Sequence, residues 1–126
     1  MMDSTTEINF KKLLDACFKV HSELGPGLLE SSYELCLAYE LQKSGLNVRS
    51  QVPMPISYGG VKLDAGYRVD LLIEESIIVE IKAVEEFHPV HMAQLLTYLK
   101  LSGNRLGLLV NFNVSRLKDG IKRVVL

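Results

Sequence analysis

Residues 66–83 read GYRVDLLIEESIIVEIKA, two runs rich in Val, Ile and Leu joined at Glu74-Glu75-Ser76. β-Branched residues favour strands, and a polar break between two such runs marks a hairpin. Charged residues interrupt both runs: Asp70 breaks Val69–Ile73, and Glu80 with Lys82 breaks Ile77–Ala83. Strand side chains alternate, so Glu80 and Lys82 share a face. If the connection is Glu74, Glu75 and Ser76, Ile73 faces Ile77 and Asp70 faces Glu80. Two carboxylates then stand side by side with an ammonium two residues along. A turn one residue shorter pairs Asp70 with Val79 instead and sends the carboxylates to opposite faces. The absence of glycine from the loop counts mildly against the longer connection.

On the N-terminal side, Ser4-x-x-Glu7 fits a capping box. Phe10, Leu13, Leu14, Cys17, Phe18, His21 and Leu24 follow at helical spacing and predict one apolar stripe. Gly25-Pro26-Gly27 ends that helix. A second helix is expected from about Leu29 to Ser44, with Leu29, Tyr33, Leu37 and Leu41 on one face and Gly45 as its stop. Val48 to Ser57 is extended, because Pro53 and Pro55 forbid a helix and suit an edge strand. Gly59-Gly60 is a tight turn, and Val61 to Leu63 resumes a strand. Beyond the hairpin, Pro89 sits in the first turn of a third helix that runs to about Ser102 and stops at Gly103. Leu106 to Val110 is a short apolar strand, and Ile121 to Leu126 a candidate for another. The order is helix, helix, three strands, helix, then one or two strands: a mixed α/β domain whose central sheet is flanked by helices.

The chain has 126 residues, 48% of them hydrophobic and 23% charged, which suits one domain spanning residues 1–126 and excludes a disordered tail. Fourteen basic residues against fifteen acidic ones exclude a protein that coats nucleic acid by net charge alone. The charge is uneven, however. Residues 98–126 carry six basic side chains and one acid, and the rest carries eight against fourteen. A basic C-terminal face of this kind steers polyanions. Cys17 and Cys36 lie in apolar helical patterns and read as reduced thiols. The sequence has neither a secretion signal nor an apolar run long enough to span a bilayer, so a cytoplasmic protein without a membrane partner is expected.

Adjacent carboxylates repel and raise each other's pKa, and a divalent cation relieves the repulsion by taking oxygen ligands from both. Such a cation acidifies water and polarises a phosphoryl oxygen, while a neighbouring lysine offsets charge developing on phosphorus. Asp70…Glu80-x-Lys82 therefore has the groups that phosphodiester hydrolysis needs. The bland alternative is a solvated strand face with Lys82 paired to a carboxylate. Glu30 falls in the first turn of its helix, where the dipole favours an acid. Gln94 and Tyr98, four residues apart, share a helical face. His88 and His91 have a spacing that could serve a metal, but Pro89 at the helix start puts His88 outside the helix.

Gly27-Leu28-Leu29-Glu30-Ser31-Ser32-Tyr33, Arg68-Val69-Asp70, Val79-Glu80-Ile81-Lys82-Ala83 and Gln94-x-x-x-Tyr98 occur in this order. Together they resemble the GxxExxY protein family, a branch of the PD-(D/E)xK nuclease superfamily, over essentially the whole chain. The resemblance implies a restriction-endonuclease-like fold and a metal-dependent nuclease, acting on DNA rather than RNA. It implies Asp70 and Glu80 as ligands of Mg²⁺ or Mn²⁺, Glu30 as a further metal contact or base, and Lys82 as the catalytic lysine. Gln94 and Tyr98 would support the site and contact nucleic acid, with Tyr33 and Arg68 as further supporting or substrate-binding residues. A chain this small would act as a homodimer or with a larger protein partner. The rival reading is a catalytically inactive module that keeps the nuclease fold to bind nucleic acid or to regulate.

Overall fold

The computed structural model describes residues 2–126. Two helices, α1 (Ser4–Leu24) and α2 (Glu30–Lys43), precede the strands β1 (Val48–Pro53), β2 (Ile56–Tyr58), β3 (Val61–Leu63), β4 (Arg68–Ile73) and β5 (Ile77–Lys82). Helix α3 (Pro89–Ser102), strand β6 (Leu106–Asn111), a 3-10 turn (Leu117–Gly120) and strand β7 (Ile121–Val125) complete the chain. The central sheet has five strands in the order β1-β4-β5-β6-β7. Its β5–β6 pair is parallel and the other pairs are antiparallel, so the sheet is mixed. Five strands precede α3 where the expected order has three; three of the five belong to the central sheet and two form a separate hairpin. The extended run expected from Val48 to Ser57 divides at Met54-Pro55. Its second half turns away to pair with β3 in a separate hairpin. Proline removes the amide that continued pairing would need.

Helices α1 and α2 cover one face of the sheet, where Leu13, Cys17, Tyr33 and Leu37 pack on Leu71, Ile73, Val79 and Leu108. Helix α3 covers the other through Leu95, Tyr98 and Leu99, packed with Leu72, Ile78 and Leu109. Strand β6 is buried throughout, as expected of an inner strand with helices on both faces. Gly107 lets α3 approach closely: a Cβ there would stand 3.0 Å from the Leu95 Cδ1.

Several local expectations are corrected. The cap of α1 is Asp3, not Ser4: the Thr6 N–H donates to Asp3 Oδ1 at 2.7 Å. Asp3 stands outside the first turn, where its carboxylate reaches the third helical amide and meets the positive end of the dipole. Glu7 instead accepts from Arg123 at 2.7 Å. The buried face of α1 is rotated toward Ala16 and Val20, leaving Phe18 and Leu24 exposed. Leu29 is the N-cap of α2 and is exposed, so the helix proper starts at Glu30.

The hairpin has the register that the longer connection requires: Ile73 pairs with Ile77, Leu72 with Ile78 and Leu71 with Val79. The loop forms without glycine because Glu74 and Glu75 adopt left-handed φ values of 52° and 51°. Partners hold them there. The Glu74 N–H donates to the Asn47 carbonyl, the Asn47 N–H donates to the Glu74 carboxylate, and Arg49 pairs with Glu75 at 2.8 Å.

Candidate active site

Strict alternation fails at Asp70, and that irregularity builds the site. Val48, Leu71 and Ile73 belong to the core under α1 and α2, whereas Val52 and Val69 belong to the core under α3. In a regular strand Val48 and Val52 would share a face, as would Val69 and Leu71. Both strands therefore change sides between these positions. The β1–β4 ladder is paired on either side, Ser50 with Leu71 and Val52 with Val69, and skips Gln51 opposite Asp70. Gln51 makes the change with a φ of 53°, in the left-handed region.

On the β5 side, the ladder gives way to side-chain bonds at the same level. The Asp70 N–H donates to Glu80 Oε2 at 2.9 Å, and the Ile81 N–H donates to Asp70 Oδ2 at 2.8 Å. Each carboxylate thus takes a backbone donor from the opposite strand. Gln51 bridges from the other side, its Nε2 donating to Asp70 Oδ1 at 3.3 Å and to Glu34 Oε1 at 2.7 Å. Glu30, at the start of α2, accepts from the Ala83 N–H at 3.1 Å and so ties that helix to the end of β5. Glu30, Ser31, Glu34, Gln51 and Asp70 line an open recess of about 400 Å³. Lys82 lies close enough to act on both Asp70 and Glu80 electrostatically, and it joins no ion pair among the described residues.

From α3, the Gln94 Nε2 donates to the Tyr98 hydroxyl at 3.1 Å. Tyr98 in turn feels the charges of Glu80 and Asp70. Strand β5 keeps its alternation, with Ile77, Val79 and Ile81 toward α1 and α2 and Ile78 toward α3. Glu80 and Lys82 therefore fall on the α3 side.

The chain matches the sequence model of the PD-(D/E)XK nuclease superfamily over residues 7–124. It belongs to that superfamily. No curated protein and no solved structure matches it. The five-stranded mixed sheet between helices agrees with the restriction-endonuclease-like fold of PD-(D/E)XK nucleases. Among the described residues, no helix is long and apolar enough to cross a membrane.

Of the residues singled out in the sequence, Glu30, Asp70, Glu80, Lys82, Gln94 and Tyr98 come together in this PD-(D/E)XK chain. Tyr33 and Arg68 do not join them. Tyr33 is fully buried, stacks on Phe112 with ring centroids 4.6 Å apart, and donates its hydroxyl to the Gly25 carbonyl at 2.6 Å. The Leu28 N–H donates to that hydroxyl at 3.2 Å, so Tyr33 fixes the turn that delivers Glu30. Arg68 is exposed and bonds the Tyr67 carbonyl at 3.1 Å. Sequence reasoning missed Glu34 and Gln51. Glu34 was legible, because it lies one turn beyond Glu30; a left-handed glutamine leaves no sequence signal. His91 also belongs here, since it feels Lys82 and Glu30 and its Nδ1 accepts from the His88 N–H at 3.2 Å. Asn111, buried opposite Lys82, clamps the chain beyond β5 by bonding both the N–H and the carbonyl of Val84.

The electrostatics of this PD-(D/E)XK site follow from crowding. Burial, then the charge of Asp70, pushes the Glu80 carboxyl up to about 8. Burial also raises Asp70, against the Ile81 amide, the Gln51 amide and Lys82. Glu34 is raised by burial and then by Asp70. Tyr98 is pushed up to about 12, first by burial and then by Glu80 and Asp70. One ammonium thus faces several carboxyls, and Glu80 keeps its proton at neutral pH unless more positive charge arrives.

PD-(D/E)XK nucleases generally use divalent metals. The donor chemistry of Asp70 and Glu80 fits one, since carboxylate oxygens suit Mg²⁺ and Mn²⁺. Among the described residues, no group of three or more His, Cys, Asp or Glu is placed to hold an ion. Mg²⁺ is ordinarily held by one or two carboxylates, with water and substrate phosphate supplying the rest of its shell.

Proposed function

We infer that the chain is a divalent-metal-dependent phosphodiester hydrolase, acting on DNA rather than RNA, with its whole site carried by one domain over residues 1–126. The observation that supports this most is the pairing of Asp70 with Glu80. Two carboxylates cross-bonded to each other's strands are held rigid in a setting that wants a cation, with Lys82 beside them. The Gly27–Tyr33 signature supports the GxxExxY branch of the superfamily. Asp70 and Glu80 would hold Mg²⁺ or Mn²⁺, with Glu30 as a further contact or base. The chemistry such a cation supplies is acidification of water and polarisation of a phosphoryl oxygen.

The remaining work falls to the chain. Lys82 orients the attacking water and offsets charge on the phosphoryl oxygens. Water oxygen bonds to phosphorus as one bridging P–O bond breaks, leaving a phosphomonoester and a hydroxyl. Of the two water protons, one passes to solvent or to a carboxylate, from which the leaving oxygen takes up a proton to depart as the hydroxyl, and the other stays on the new phosphate. Gln94 and Tyr98 brace the α3 side, Tyr33 holds the turn before Glu30, and Arg68 contacts substrate beside the site. The basic residues of the C-terminal segment attract the polyanion, and a homodimer or a larger protein partner extends the binding surface.

The test compares wild type with Lys82→Ala and Asp70→Ala on single-stranded, duplex and branched DNA and on RNA, with Mg²⁺ or Mn²⁺. Loss of a group that stabilises transition-state charge costs about 10²–10³-fold in rate, so both variants should fall by that much or more. Cleavage that persists unchanged in both would come from a contaminant and would end the assignment. Calorimetric titration with Mn²⁺ reads the metal site separately, and an absence of heat above dilution removes its basis.

A further inference from the structure

Beside the carboxylates lies a groove of about 510 Å³, in which the hydrolytic reading uses Gln94 and Tyr98 as braces and leaves the rest of the lining without a role. Its lining includes Ile56, Tyr67, Val90, Ala93, Gln94 and Tyr98. Tyr98 forms its floor, since that residue is buried and its ring meets Tyr67 edge-on with centroids 6.4 Å apart. Tyr67 itself is 45% exposed and Val90 is 66% exposed. The groove is thus apolar and aromatic, with one amide in its wall. The Gln94 amide spends one N–H on the Tyr98 hydroxyl, which leaves its other N–H and its carbonyl oxygen able to bond a ligand's polar edge.

We propose that this groove receives a single unstacked nucleobase next to the scissile phosphate, so that the chain selects single-stranded nucleic acid or frayed ends over intact duplex. The proposal rests on the hydrolytic reading of the adjacent carboxylates and deepens it. Continuity carries it: Tyr98 is at once the floor of the groove and the neighbour of Glu80 and Asp70. A strand whose phosphate sits at those carboxylates must place its flanking nucleotide somewhere close by. The groove offers no cation for a phosphate, because its lining contains no lysine or arginine. It offers instead what a base needs, an aromatic face to stack on and an amide for the base's edge. In a duplex both faces of a base are already stacked and its edge is paired, so only an unpaired nucleotide can enter. Cavities of about 300–1,000 Å³ take small organic ligands, and this one falls within that range.

Tyr67 is the residue to change, since it lines the groove and takes no part in the hydrolysis. Fluorescence anisotropy with a labelled single-stranded oligonucleotide and the matching duplex, in EDTA to prevent cleavage, compares wild type, Tyr67→Ala and Tyr67→Phe. Base–aromatic stacking is worth about 1–3 kcal/mol by alanine substitution. Tyr67→Ala should therefore weaken single-strand binding about 5- to 150-fold, leave duplex binding within about twofold, and be rescued by Tyr67→Phe. Because the chain contains no tryptophan, Tyr67→Trp adds a unique fluorophore whose emission should be quenched by the single strand and not by the duplex. Equal losses on both forms, unchanged single-strand binding in Tyr67→Ala, or no binding of either oligonucleotide would overturn the proposal. Failure of the hydrolytic reading shows elsewhere, as equal cleavage by wild type and Lys82→Ala, so the two failures are distinguishable.

Discussion

Replacing Glu80 by glutamine should change how the stability of the metal-free protein depends on pH. Glu80 is 3% exposed and its carboxyl is pushed from an ordinary 4.5 to about 8, chiefly by burial and then by Asp70. Between those values the folded chain binds more protons than the unfolded one. Its stability therefore stands undiminished below pH 4.5 and falls as the pH rises through 8. The ionisation penalty is about 3 kcal/mol at pH 7 and about 5 kcal/mol once the group is fully charged. Glutamine keeps the shape, and its carbonyl oxygen can still accept the Asp70 N–H, but it carries no charge to bury. Urea unfolding in EDTA, followed by circular dichroism, should show Glu80→Gln gaining on wild type by about 2 kcal/mol between pH 5 and pH 7. Relief of Asp70 from its neighbour's charge works in the same direction. Saturating Mn²⁺ should recover stability for wild type at pH 7 and much less for the variant. A wild-type-minus-variant difference that stays flat from pH 5 to pH 8 would refute the idea that Glu80 is a strained buried acid, and with it the electrostatic case for a cation at this place.

Three further substitutions test the framework. Asp3→Ala should cost about 1 kcal/mol by removing the α1 cap, whereas Ser4→Ala should cost little; equal effects in thermal melts would restore the serine as cap. Gly120→Ala should destabilise by about 1–3 kcal/mol or more, because a Cβ there would stand 2.2 Å from the Asn111 carbonyl oxygen; a neutral melt would show that this strand end yields freely. Tyr33→Phe strips the hydroxyl that bonds Gly25 and Leu28 and should cost about 1–3 kcal/mol with Mn²⁺ affinity within a few-fold of wild type. A loss of metal binding without a loss of stability would place Tyr33 in the site rather than beneath it.

Much of the hairpin was legible because period-two patterning and loop length together fix a register. With Glu74, Glu75 and Ser76 as the connection, Ile73 had to meet Ile77 and Asp70 had to stand level with Glu80. The helix ends at Gly25 and Gly103 were legible for a similar local reason: each is a left-handed or otherwise positive-φ position that glycine occupies without strain. What escaped reading depends on tertiary partners. Glu74 and Glu75 take glycine's place in the loop because Asn47, just before β1, and Arg49, on β1, hold them. The exposed α1 residues Phe18 and Leu24 fitted the apolar period as well as Ala16 and Val20 did. Only the position of α2 and the sheet decides which side of α1 is covered.

The reversal of faces at Gln51 and Asp70 explains why the site stands where it does. A carboxylate in a regular strand faces one core or the other. There it would meet either α2 or α3, and burial would leave it without donors. By changing sides at this level, β1 and β4 release Asp70 from alternation and let its carboxylate take the Ile81 amide in place of a ladder bond. Groups from both helical layers then converge on one carboxyl, Glu30 and Glu34 from α2 and Tyr98 from α3. A non-glycine residue in the left-handed region costs about 1–2 kcal/mol, and Gln51 carries that cost while bridging two carboxyls that would otherwise repel. Strain of this kind persists where surrounding contacts over-determine it, and such positions cluster at functional sites. The irregular glutamine is therefore the feature that joins fold to chemistry. Without the kink Asp70 and Glu80 would stand side by side on the α3 face of a regular sheet, with no Gln51 bridge to Glu34 and no convergence of groups from α2.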